Sequence, residues 1–203
     1  MPKESVVFGI AGVFFGILVG WMIGTQQARP PAATAPAPAA TAPQAQTAPP
    51  FDQSRASALE ATIAKNGRDV ESRVQLGDLY FDAERFSDAT KWYQEALTID
   101  PKHVNASTDL GIAYYYMNQP DRALEQFARS LAIDPKHTKT LLNIGIVRAF
   151  GKQDLEGAAK VWQDVIDIAP ASQEAAMARQ ALQGLRSAHP PGGSSPAGNQ
   201  PGK

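Results

Sequence analysis

Apolar positions along this chain follow two different rules. From Val6 to Gly24 (VVFGIAGVFFGILVGWMIG) almost every residue is apolar or glycine, and no charge occurs between Ser5 and Ala28. At about 1.5 Å rise per residue, that run covers a hydrocarbon core of about 30 Å. It predicts a transmembrane helix over 6–24 behind a short tail, 1–5. From Phe51 to Ala188 apolar and polar residues alternate at helical spacing instead. Leu59 and Ile63 mark a helix over 52–65, and Ala178, Ala181, Leu182 and Leu185 mark another over 172–187. Three helical pairs fill the space between, so eight helices are expected outside the membrane segment.

A cleavable secretory signal competes for the first segment, since Lys3 precedes the apolar run and Ala33-Thr34-Ala35 offers a small-residue site. The run exceeds the core of about 7–15 residues that such signals carry, and Pro36 follows the site, so an uncleaved anchor is expected. Gly12, Gly16, Gly20 and Gly24 fall on one side of this helix. In lipid a strip without side chains lets two backbones approach closely, and association of two copies through it is expected. Lys3 lies on one side and Arg29 on the other, so charge orients the anchor only weakly; an N-in arrangement with the repeats exported is expected.

Seven of the 16 prolines lie between Pro30 and Pro50, and four between Pro190 and Pro201. Residues 25–50, alanine, proline, glutamine and threonine with one charge, read as a semi-rigid spacer of about 3 Å per residue. Residues 189–203 read as a disordered tail for lack of anything to bury. Amphipathic helical pattern is confined to 51–188.

Within that region the chain repeats itself. Leu76-Gly77-x-x-Tyr80 is followed by Ala89, Tyr93, Ala96 and Pro101, and then by Leu110-Gly111-x-x-Tyr114, Ala123, Phe127, Ser130 and Pro135 at a period of 34. A third pass has Ile144-Gly145, Ala158, Trp162, Val165 and Pro170, with one residue inserted near Gly151 to Gly157. The segment Ile99 to His103 recurs unchanged as Ile133 to His137. A mid-helix glycine costs about 1 kcal/mol against alanine, so Gly77, Gly111 and Gly145 in phase imply close helix contact. Ala89, Ala123 and Ala158 read as the small residues of the partner helix, and Tyr93, Phe127 and Trp162 as fillers of the layer between successive hairpins. Pro101, Pro135 and Pro170 end each second helix.

This pattern resembles the tetratricopeptide repeat, W-x2-L-G-x2-Y, A-x3-F and P in 34 residues. The resemblance implies an all-α solenoid of helical hairpins with repeats at about 70–103, 104–137 and 138–172. The helix over 52–65 stands as an orphan second helix before them, and that over 172–187 as a solvating terminal helix. Arg73, Ser107 and Leu141 occupy the tryptophan slot and Arg148 a tyrosine slot, which is expected to change packing locally and leave the architecture intact.

Charge is nearly balanced, 19 Lys+Arg against 20 Asp+Glu, which argues against nucleic acid as a partner. No cysteine is present, so thiol nucleophiles and thiolate metal sites are excluded. His103 and His137, one repeat apart, make a poor metal pair beside Lys102 and Lys136. Asp78/Asp82 and Asp164/Asp167 share helix faces, as solvated carboxylates do. No phosphate-binding loop, nucleophile elbow or H-E-x-x-H is found. The glycosylation tripeptide Asn105-Ala106-Ser107 is too short to inform. No enzyme, cofactor or metal is expected.

The resemblance further implies a concave face built from the first helix of each repeat. Val74, Asp78 and Phe81, then Thr108, Ile112 and Tyr115, then Leu142, Ile146 and Ala149 fall there, with Tyr116 at the margin. Seven of these nine are apolar or aromatic, whereas relatives that grip a C-terminal carboxylate use lysine, arginine and asparagine. An amphipathic helix or extended apolar peptide is expected there, without preference for acidic C-termini. Two outcomes compete: the helix from Ser172 to Ser187 covers the strip, or its side chains pack on one another. The whole is similar to membrane-anchored bacterial tetratricopeptide proteins such as accessory subunits of cytochrome c maturation. It reads as an interaction scaffold for a peptide or partner subunit in the bacterial inner membrane, single-pass, repeats periplasmic. The alternatives are a homo-oligomeric structural anchor and a recruiter of an enzyme on another chain.

Overall fold

The computed structural model describes residues 49–188 of the chain. The anchor over 6–24 with Gly12, Gly16, Gly20 and Gly24, almost all of the spacer, and the tail over 189–203 lie outside the described residues. Those residues are helical throughout: α1 Gln53–Lys65, α2 Val70–Asp82, α3 Phe86–Ile99, α4 Val104–Tyr116, α5 Pro120–Ile133, α6 Thr138–Ile146, α7 Leu155–Ile168 and α8 Gln173–Ala188. A π-helical turn, Val147–Gly151, extends α6. No described helix is long and apolar enough to cross a membrane.

Local chemistry sets the helix boundaries. Asp52, Asp69 and Asp154 accept hydrogen bonds at the starts of α1, α2 and α7 from the amides of Arg55, Ser72 and Gly157, satisfying donors that a helix start otherwise leaves bare. The Ser172 hydroxyl does the same for Ala175 ahead of α8. Pro120 opens α5 at the position where its missing N–H costs nothing. After each second helix, Asp100 and Asp134 fold the chain back by accepting from the amides of Lys102 and Lys136, both at 3.0 Å. The verbatim pentapeptide is therefore a repeated turn.

Each hairpin closes on a glycine. A Cβ on Gly77 would fall 2.5 Å from the Tyr93 ring, and one on Gly111 2.5 Å from that of Phe127; Gly145 meets the Trp162 indole in the same way. The aromatic residues therefore lie within their own hairpin, where the reading from sequence had put them between successive hairpins. What requires glycine is the ring of the second helix, seated where the first helix would carry a side chain. All three rings are fully buried, as are Ala89, Ala123 and Ala158. Their polar tips find partners: Tyr93 donates to Asp78 and the Trp162 Nε1 to the Leu142 carbonyl.

The tryptophan slots are filled by local substitutes. Arg73 is buried against Glu95 at 3.3 Å and the Asp69 carbonyl at 2.7 Å. The Ser107 hydroxyl accepts from Gln126 and Ser130, and Leu141 simply packs. In the first two repeats an arginine lies over the signature tyrosine, Arg85 on Tyr80 and Arg122 on Tyr114. In the third, Arg148 pairs with Asp154 instead.

The inserted residue of the third repeat is absorbed in the π turn, slightly ahead of the stretch Gly151 to Gly157 where spacing had located it. The Lys152 amide reaches five residues back, to the Val147 carbonyl at 3.0 Å, and the wider turn accommodates the extra residue without breaking the hairpin. Glu84, Asn118 and Gln153 close the three first helices with φ of 57° each, the left-handed reversal that glycine most often supplies.

The two ends are sealed differently. α1 buries Ala56 and packs Leu59 and Ile63 beside Leu76 and Leu79 of α2, leaving Ser54, Arg55, Ser57 and Glu60 outside. α8 buries Ala175, Ala178 and Leu182 against Trp162 and Val165 of α7 and Leu141 and Leu142 of α6. Its opposite side presents Ala176, Arg179, Gln180 and Gln183 to solvent. Among the described residues the outer sides of α1 and α8 are thus largely polar, as terminal faces of a solenoid are.

Candidate functional site

The first helices α2, α4 and α6 lie side by side and form the face on which the sequence concentrates its candidate residues. Val74, Thr108, Ile112, Leu142 and Ala149 are buried, so the apolar strip expected to be open is largely used in packing. The Thr108 and Thr140 hydroxyls join α4 to α6 at 2.7 Å. Leu142 and Ala149 belong to the cluster around Trp162 and Leu182, with Ile146 at its edge. The physical reason is that residues at i, i+4 and i+7 share one face of a helix, and part of that face is turned to the neighbouring first helix. α8 takes its place against α6 and α7, continuing the row of first helices.

Asp78, Phe81, Tyr115 and Tyr116 stay partly exposed. Asp78 accepts from the Tyr93 hydroxyl at 2.8 Å. Across the face Lys139 of α6 donates to Asp109 of α4 at 2.6 Å. Burial pushes the Asp78 carboxyl up to about 7, and the Asp109 charge adds to it, against the opposing pull of Tyr93 and Lys139. Asp82, one turn on, is also raised by burial, with Arg55 opposing. Burial acts to lower Lys139, yet the charge and hydrogen bond of Asp109, helped by Asp78 and Glu174, hold it above its ordinary value. The polar centre of the face is thus short of positive charge.

Aromatic side chains border this centre. Phe81, Phe86 and Tyr116 contact one another with centroids 4.9–5.2 Å apart, and Tyr115 meets Tyr116 at 6.0 Å. Phe150, on the π turn, is 43% exposed. A side chain on the next residue, Gly151, would crowd Tyr115 and Pro120, so the π turn lies tightly against the start of α5. Phe86, Phe150, Asp109 and Lys139 were not among the sequence-derived site residues. A signal for them existed in the repeat register, where Lys139 aligns with Glu71 and Asn105, and Asp109 with Gln75 and Asn143.

Other sequence features have structural roles. The His103 ring accepts from the Ala106 amide at 3.1 Å as the cap of α4. His137 bonds Thr140 through Nδ1 and Asn105 through Nε2, so both its nitrogens are engaged within the fold. Ser107 of the glycosylation tripeptide is buried. Among the described residues no three His, Cys, Asp or Glu side chains converge as metal ligands. An open cleft between α7 and α8, lined by Gln163, Ile166, Arg179 and Arg186 among others, carries no comparable convergence of groups.

Two family models, both described as tetratricopeptide repeat, match residues 70–136 and 108–173. Together they span just over half of the chain, which belongs to the tetratricopeptide repeat family. Among solved structures it is similar to the crystal structure of MamA, 19% identical over 66% of this chain and 75% of that one, with a TM-score of 0.57. It is also similar to the first tetratricopeptide domain of human RPAP3, 25% identical over 58% and 93%, TM-score 0.52. The first such domain of Spaghetti (RPAP3), bound to the HSP90 peptide SRMEEVD, is 22% identical over 68% and 95%, TM-score 0.50. No curated protein matches.

Proposed function

We propose that the chain is a membrane-anchored interaction scaffold that holds a peptide or partner subunit on the face formed by α2, α4 and α6. The observation that carries this reading is the partly exposed centre of Asp78, Phe81, Tyr115 and Tyr116, together with the exposed Phe150 of a π turn whose Gly151 lies against Tyr115. A surface that keeps aromatic rings and a desolvated carboxylate at its edge gives up stability that a fully packed one retains. The peptide bound by the RPAP3 domain is a precedent for the fold. The reading assigns the chain no reaction.

The apolar run over 6–24 supports anchorage, the spacer a reach away from the bilayer, and the weak charge bias repeats exposed on the periplasmic side of a bacterial inner membrane. Assembly of a membrane or cytochrome complex is the pathway proposed. The test is purification of the full chain from its membrane in mild detergent, beside a variant carrying Tyr115→Glu and Phe150→Glu. A stoichiometric partner lost in the variant, with an unchanged melting curve, supports the reading. Equal capture by both proteins overturns it. The four-residue recurrence of glycine in the anchor favours a second reading, a homo-oligomeric structural anchor, for which the same purification yields copies of this chain alone.

A further inference from the structure

We infer that the face of α2, α4 and α6 selects positively charged peptides, receiving a lysine or arginine of an amphipathic segment between Asp78 and Asp109 and its apolar side chains along Phe81 and Tyr115. This deepens the interaction reading and rests on it.

The surface itself carries the partly exposed Phe81 and Tyr115 beside its carboxylates, and its charge decides the occupant. Asp78 and Asp82 lie one turn apart on α2, Arg55 of α1 acts on Asp82, Asp109 faces Asp78 from α4 and Lys139 comes from α6. The Lys139 ammonium is already spent on Asp109, at 2.6 Å. Neither Asp78 nor Asp82 joins any of the ion pairs among the described residues. Asp78 has one donor, the Tyr93 hydroxyl, where a desolvated carboxylate gains most from a cation. Glu71 holds in α2 the repeat position that Lys139 holds in α6, so the first repeat adds no positive charge of its own there.

Each class of ligand meets this face differently. An acidic C-terminus approaches three carboxylates with the sole nearby lysine occupied. A purely apolar peptide strips further water from Asp78 and returns nothing. A guanidinium or ammonium pairs with Asp78, relieves its repulsion with Asp109, and lies beside tyrosine and phenylalanine rings that attract cations through their faces. The same acidic centre repels phosphate-bearing partners, nucleic acid and anionic lipid alike.

The test uses the full chain in neutral detergent and three fluorescent peptides of one leucine and phenylalanine pattern, whose polar positions carry arginine, glutamine or glutamate. Binding is followed by anisotropy at about pH 8. The arginine peptide is expected to bind about tenfold tighter than the glutamine peptide, about 1.4 kcal/mol, and the glutamate peptide not to saturate. Asp78→Asn should remove most of the arginine preference while weak apolar binding persists, and Tyr115→Ala should weaken all binding.

Calorimetry adds a readout that a packing role does not move. The titratable groups facing Asp78 are Asp82 on α2, Tyr93 on α3, Asp109 on α4 and Lys139 on α6. Pairing Asp78 with a cation favours its ionised form, so near pH 7 binding should release protons, in the wild type and not in Asp78→Asn. Equal affinity for the three peptides overturns the charge selection and leaves the interaction reading standing. Arginine binding unchanged in Asp78→Asn, or lost wholly to salt with no response to Tyr115→Ala, overturns it as generic attraction. Failure of all three peptides overturns it too, and partner capture by the purified chain then shows whether the interaction reading falls with it.

Discussion

Replacing Asp78 by asparagine is expected to stabilise the fold, by an amount that grows as pH rises from about 4 to about 7. In the unfolded chain this aspartate has a pKa near 3.8; in the hairpin it is pushed up to about 7 by burial and by Asp109. A folded pKa above the unfolded one means the folded state binds more protons between those values. The resulting stabilisation is complete below about pH 4 and is lost as pH rises through about 7. The full gap corresponds to about 4 kcal/mol at one pKa unit per 1.36 kcal/mol. The charges of Asp109 and Lys139 act on Asp78 with opposite sign, so a single neutralisation recovers less, about 1–2 kcal/mol. Asparagine keeps an oxygen for the Tyr93 hydroxyl and presents an amide to Asp109, so no hydrogen bond need be lost. For a domain of this size that is about 3–8 °C in melting temperature. Circular-dichroism melts of the full chain in detergent at about pH 5 and pH 8 make the comparison: a small gain for asparagine at the lower, a larger one at the upper. An equal gain at both values, or a loss at pH 8, shows that Asp78 is not held against its own charge. A gain at pH 8 joined to weaker arginine-peptide binding identifies a residue that serves binding at the expense of stability.

Gly111→Ala should cost about 1–3 kcal/mol by overpacking, since its Cβ falls 2.5 Å from the Phe127 ring; Phe127→Leu in the same chain should recover part of it, and additive losses in urea titrations count against the ring–glycine contact. Gln153→Gly should stabilise by about 0.5 kcal/mol, relief of a left-handed backbone at φ 57° less the entropy that glycine adds to the unfolded chain, and an unchanged urea midpoint tells against strain there. Gly16→Leu with Gly20→Leu should weaken self-association in a membrane dimer assay while insertion persists; unchanged association means the glycine strip is incidental.

The period of 34 made the hairpins, their order and their solvating ends legible, because glycine, alanine, aromatic and proline positions each carry a local packing requirement that survives divergence. The pairing of ring with glycine was legible only in part: spacing places Tyr93 and Gly77 on facing helices, but whether the ring points into its own hairpin or the next depends on helix rotation. The same limit governs the candidate face. Val74, Ile112 and Leu142 share a stripe with Asp78 and Tyr115, and only the lateral approach of α4 to α6, seen in the Thr108–Thr140 contact, divides the buried part from the open part. Asp109 and Lys139 look like ordinary solvated charges until stagger between helices brings them together. Phe150 sits on a turn whose existence the spacing announced and whose place it gave only approximately.

That turn offers the last test. Deleting Phe150 restores the 34-residue spacing and should let α6 run on as a regular helix, as α2 and α4 do. Residues through Ile146 keep their register, so the buried contacts of Leu142 and Ile144 are untouched. Regularising the turn recovers about 0.5–1.5 kcal/mol for one backbone hydrogen bond. Against that stands the Lys152–Asp121 pair, whose side chains are 40% and 75% exposed, worth about 0–1 kcal/mol, and some misfit where Gly151 now lies against Pro120 and Tyr115. These amounts nearly cancel, so the melting temperature should move by only a few degrees, about 1 kcal/mol either way. Partner capture should fall nonetheless, because the deletion removes the exposed Phe150 ring and withdraws the turn that lies against Tyr115; π turns recur at functional sites for this kind of local re-aiming. A large drop in stability makes the extra residue a packing requirement of the third hairpin. Stable protein with full capture leaves the π turn without a part in binding.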